Sequence, residues 1–84
     1  MKGKHGKTLE KVFEVPERGN IPWREIESLF VALGGEVSQG SGSRVRVALR
    51  GVRAVFHRPR PGKEANKATV KSVRRFLQEA GAQP

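Results

Sequence analysis

The chain has 84 residues, with 17 Lys and Arg against 8 acidic residues, all of them Glu, no cysteine, and a formal net charge of +9. That length suits one small domain without a second core, and the lack of cysteine excludes a disulfide framework, a thiolate metal site and a cysteine nucleophile. No stretch approaches the apolar length of a bilayer crossing, and the basic start "MKGKHGK" leads into a mixed segment, so the expected location is the cytoplasm, with no membrane partner.

Residues 1–6 are expected to form a tail in which His5 has no role. In "KTLEKVFEVPER", Leu9, Val12 and Phe13 fall at helical spacing and predict a short helix over Thr8 to Glu14, ended where Val15 precedes Pro16. The stretch "IPWREIESLFVALGG" predicts a stronger helix. Pro22 suits a first turn, Glu25 and Glu27 favour the N-terminal end, and Gly34–Gly35 stops it. Its apolar stripe, Trp23, Ile26, Leu29, Phe30 and Leu33, is assigned to the core.

"EVSQGSGSRVRVALRG" predicts a hairpin, with a short strand over Glu36 to Ser38, a Gly/Ser turn, and a strand in which Val45, Val47 and Leu49 point one way. Arg50–Gly51 signals a tight turn, and "VRAVFH" supplies a third strand. Pro59 and Pro61 make "RPRPGKEAN" a loop. The final helix, "KATVKSVRRFLQEAG", carries Val70, Val73, Phe76, Leu77 and Ala80 on one face, with Asn66 as N-cap and Gly81 as stop. The expected fold class is therefore α+β: a three-stranded antiparallel sheet with two helices on one face, in the order α-β-β-β-α, plus a short N-terminal helix. That is the arrangement of double-stranded-RNA-binding domains.

Charge is unevenly spread. Eleven of the basic residues lie between Arg44 and Arg75, where Glu64 is the sole acid, whereas residues 8–43 carry six Glu and three basic residues. Such concentration is the footprint of a polyanion binder, with a merely solvated basic surface as the alternative. The candidates for contacting RNA are Ser43, Arg44 and Arg46 around the Gly/Ser turn, Arg58, Arg60 and Lys63 in the loop, and Lys67, Lys71, Arg74 and Arg75 on the last helix. Lys67, Lys71, Arg74 and Arg75 follow i, i+4 and i+7 or i+8 spacing and so share one helix face.

His57, directly before "RPRP", is the candidate catalytic residue. An imidazole can take a 2′-hydroxyl proton or protonate a leaving oxygen near neutral pH, with the flanking arginines holding phosphate charge. The alternative is a histidine that ends a strand or only touches phosphate. The Gly/Ser turn lacks the following helix and Lys-Ser/Thr pair of a P-loop, and Ser41 and Ser43 have no triad pattern. There is no Asp, no Cys and no paired His or Glu spacing, so no metal and no cofactor are expected. Separated helices fit a helix-turn-helix DNA reader badly.

From Ile21 to Gly81 the chain resembles the HicA toxin family, the RNA-cleaving partners of HicB antitoxins. The resemblance rests on "IPWREIESLFVALGGEV", "GSR" at Gly42 to Arg44, "GVRAVFHRPRPGKE" and "TVKSVRRFLQEAG". It implies a double-stranded-RNA-binding-domain-like fold, metal-free mRNA cleavage by acid/base chemistry, and RNA and a HicB-like antitoxin as partners. It divides the chain into a basic tail and short helical extension over 1–20 and a HicA-like domain over 21–84. Gly42 and Ser43 carry over to the turn, and Pro61, Gly62 and Lys63 to the loop. The family's catalytic histidine stands just after a "GS" pair, where this chain has Arg44 and Val45. A second histidine, in an "HP" pair before "GKE", is here replaced by Arg60 before Pro61. Two outcomes follow: a ribonuclease that uses His57, or a non-catalytic RNA-binding or HicB-binding module.

Overall fold

The computed structural model describes residues 3–60 and 63–84, leaving Met1, Lys2, Pro61 and Gly62 outside the described residues. In chain order its elements are α1 (Gly3–Val12), β1 (Ile21–Pro22), α2 (Trp23–Ala32), β2 (Glu36–Gln39), β3 (Arg44–Leu49), β4 (Val52–His57), β5 (Glu64–Ala65) and α3 (Lys67–Glu79). Strands β2, β3 and β4 form an antiparallel meander, and α2 and α3 pack on its inner face. The expected α-β-β-β-α order is therefore present, preceded by the extra helix.

Alternation builds the sheet. Val45, Val47 and Leu49 on β3 and Phe56 on β4 are buried on the inner face, while Arg44, Arg46, Arg53, Val55 and His57 are exposed on the outer one. Phe56 sits in an aromatic cluster with Trp23 and Phe30 of α2 and Phe76 of α3, at ring-centroid distances of 6.0, 5.7 and 5.8 Å. Burial of these rings joins both helices to the sheet.

Local signals close the elements as expected. Asn66 Oδ1 accepts a hydrogen bond from the Thr69 N–H at 2.9 Å, capping α3. Gly35 stands where an added Cβ would lie 2.9 Å from the Phe30 carbonyl oxygen, so only glycine lets β2 start this close to α2. Arg50 and Gly51 form the two-residue turn at φ values of 50° and 82°. Arg50 earns this conformation through its side chain, whose Nη1 donates to the Gly81 carbonyl at 3.1 Å and ties the hairpin to the end of α3.

Two expectations need correction. The first helix runs from Gly3 to Val12, not Thr8 to Glu14, so the described part of the expected tail is helical. It is held by packing on α2, with the small Gly6 and Thr8 buried beside Leu9 and Val12, and small residues give no periodic apolar signal. The second concerns "RPRPGKEAN", which is not all loop. Ile21 pairs with Ala65 and Pro22 with Glu64, a two-residue ribbon between segments more than 40 positions apart that no local pattern announces, and it takes Pro22, expected in the first helical turn, into the strand just before α2.

Candidate nucleic-acid interface

The predicted site residues fall into three groups. On the sheet's outer face, Arg44 lies directly opposite His57 in the β3–β4 register, and Arg46 lies opposite Val55. Arg53, absent from the sequence-based candidates, shares that face. The alternation in "VRAVFH" already placed it there, two and four residues before Val55 and His57. Among the described residues none of Arg44, Arg46 and Arg53 takes part in an ion pair.

A second group lines a cleft of about 510 Å³ between the start of α2 and the loop after β4, where Arg58, Arg60 and Lys63 meet Arg24. Arg24 had no sequence signal, because only the tertiary fold brings it to that loop. Pro61 and Gly62, assigned to the loop by resemblance, lie outside the described residues. The third group is α3, where Lys67, Lys71 and Arg75 are exposed and Arg74 is half-buried.

Two of the candidate arginines are tied by their side chains to other groups of the protein, Arg58 with a side chain 36 % exposed and Arg74 with one 14 % exposed. Arg58 Nε donates to Glu27 Oε2 at 2.9 Å and Arg58 Nη1 to Gln39 Oε1 at 2.6 Å. Trp23 Nε1 donates to the same Glu27 oxygen, and Gln39 Nε2 donates to the Gly42 carbonyl at 2.9 Å. The Arg58 backbone N–H adds a 2.7 Å bond to the Ser43 carbonyl. Arg58 thus braces the Gly/Ser turn against α2, which holds Ser43 and Arg44 in place beside His57. Arg74 Nη2 donates to Glu17 Oε1 at 2.6 Å, and its Nη1 to the Glu14 carbonyl at 3.2 Å. A backbone hydrogen bond at Glu17 and then this guanidinium hold the Glu17 carboxyl below the usual carboxylate range.

The ordered set of elements and this basic face agree with a family comparison. A model described as "HicA toxin of bacterial toxin-antitoxin" matches residues 23–82. The chain belongs to the HicA toxin family. Its members are toxins of bacterial toxin–antitoxin pairs, and the match takes in α2, the three-stranded sheet, the loop after β4 and α3. Helix α1 precedes the matched segment yet contributes Leu9 and Val12 to the core. No curated protein and no solved structure matches the chain. Among the described residues no helix is long and apolar enough to cross a membrane.

Proposed function

We propose that this HicA family member binds RNA across the outer face of its sheet and the exposed side of α3, cleaves mRNA there by acid/base chemistry, and is neutralised by a HicB-like antitoxin. The cross-strand pairing of Arg44 with His57 carries this reading. Arg44 occupies the position just after the Gly-Ser pair where the family resemblance places a histidine. An imidazole directly across the ladder reaches much the same space above the sheet, because opposed residues on one face stand about 5 Å apart. His57 then accepts the 2′-hydroxyl proton as the 2′-oxygen attacks the adjacent phosphorus, or protonates the departing 5′-oxygen as the P–O5′ bond breaks. Arg44 and Arg46 balance charge on the phosphate oxygens. Ser43, Arg60, Lys63, Lys67, Lys71 and Arg75 extend the phosphate track, while Arg58 and Arg74 act mainly by holding the scaffold.

Arginine at both positions where the family carries histidine favours a second reading: an RNA-binding or antitoxin-binding module without cleavage, since arginine holds its proton at neutral pH. Purified protein incubated with mRNA in the presence of a chelator decides between them. Cleavage by the wild type that is lost in His57→Ala is the expected result. Cleavage that survives the substitution removes His57 from the mechanism, and tight, salt-sensitive binding without cleavage selects the second reading.

A further inference from the structure

Strand β4 is an edge of the three-stranded sheet, and the ladder shows which of its backbone groups are unused. The Arg58 N–H bonds the Ser43 carbonyl, and the Arg50–Gly51 turn closes on Leu49 opposite Val52, so the hydrogen-bonded pairs on this ladder join odd-numbered β3 residues to even-numbered β4 residues. The Gly40 N–H bonded to the Arg44 carbonyl confirms that even-numbered β3 residues face β2 instead. The N–H and C=O groups of Arg53, Val55 and His57 therefore point off the sheet. Their side chains stand on the outer face, and Val55, 57 % exposed, is one of the few large apolar residues left at the surface. Beside this edge runs a groove of about 390 Å³ between β4 and α3, lined by Val55, His57, Ser72, Arg75, Phe76 and Glu79 among others.

We infer that the β4 edge is a docking site for an extended acidic peptide segment that adds as a fourth strand. This deepens the antitoxin part of the proposed function and rests on it. An added strand pairs with the outward groups of Arg53, Val55 and His57, and its side chains alternate between the two sides of the sheet. Those on the outer face meet Arg53 and His57, with Arg46 on β3 behind them and Glu36 two strands away on β2, a balance that selects carboxylates. Those on the other side enter the groove against Phe76, which selects small apolar side chains. Glu79 is the one acid in that groove, and Arg75 lines it too. A second copy of the chain is a poor occupant, because it would join two chains of +9 along their basic edges. Docking here would also cover His57.

Proline substitution tests the idea without breaking the fold. The Val55 N–H serves no internal ladder bond, so Val55→Pro removes only an outward donor, as prolines on natural edge strands do. Binding of a labelled eight-residue peptide of alternating valine and glutamate is followed by fluorescence anisotropy, with circular dichroism to verify folding. The wild type and Val55→Thr are expected to bind, and Val55→Pro to bind about tenfold or more weakly. A matching valine–lysine peptide is expected not to bind. Failure of the wild type to bind the glutamate peptide, or equal binding by Val55→Pro, overturns the inference. An RNA oligonucleotide assayed in parallel keeps the two readings apart. Unchanged RNA affinity in Val55→Pro supports a peptide-specific edge, and equal weakening of both ligands overturns it. A wild type that binds the peptide but no RNA leaves the edge assignment standing and refutes the RNA reading.

Discussion

The helical side of the molecule and the outer face of its sheet draw on the same supply of arginines and treat them in opposite ways. On the helical side Arg74 is joined to Glu17 and Arg18 to Glu14, and Arg58 at the end of β4 is joined to Glu27 of α2. On the sheet face Arg44, Arg46 and Arg53 are exposed and outside any ion pair among the described residues. The glutamates of the first half therefore do more than dilute the net charge. Glu14, Glu17 and Glu27 are engaged by Arg18, Arg74 and Arg58 on the scaffold, which leaves Arg44, Arg46 and Arg53 to outweigh Glu36 on the outer sheet face.

The contrast breaks most severely if the sheet loses its backing. Phe56→Ala removes the ring shared by Trp23, Phe30 and Phe76, and should lower unfolding free energy by about 3–5 kcal/mol in urea denaturation, a large part of a small domain's stability. Glu27→Ala tests the paired population next. It leaves Arg58 and Trp23 Nε1 without their acceptor and should cost about 1–3 kcal/mol by the same measurement. The unpaired population should behave in the reverse manner. The double variant Arg44→Ala, Arg46→Ala is expected to keep its stability within about 0.5 kcal/mol while the salt dependence of single-stranded RNA binding falls by about 1.4 in log–log slope. Arg74→Ala should move that slope less, because its guanidinium is already engaged by Glu17. A drop as large as that of the double variant would show that the two populations do not differ.

The smallest expected effect is on acid stability. Because the Glu17 carboxyl sits below its unfolded value, its contribution is fully present at neutral pH and is lost as pH falls through the carboxylate range towards the folded value. Glu17→Gln should therefore flatten the acid limb of stability against pH, measured by thermal melts, and leave melting near neutral pH little more than slightly lowered. An unchanged acid limb would detach Glu17 from the Arg74 pair.

Much of the fold was legible in the residues. The period-2 run from Arg44 to Leu49, the Arg50–Gly51 turn and the Asn66 cap each encode their structure locally, and each appears where expected. The same alternation, which turns Val45, Val47 and Leu49 one way, leaves Arg44 and Arg46 on the opposite side and extends to Arg53. What escaped was non-local or lacked contrast: α1 begins among small residues, and the β1–β5 ribbon is two residues long and contains a proline. Within the site, Arg58 looked equivalent to Arg60 in "HRPRP", because identical side chains two positions apart carry no record of which one finds a glutamate.

The α+β order, the inner and outer faces of the sheet and the family are written in local patterns, since they follow from periodicity, turn chemistry and an ordered set of short motifs. That His57 stands across from Arg44, that Arg58 and Arg74 are engaged by glutamates, and that β4 is an edge of the sheet emerge from the tertiary structure alone. The physical reason is one of range. Helix and strand patterns are set by neighbours a few residues away, whereas register, ion pairing and edge exposure depend on which distant segments the burial of the core brings together.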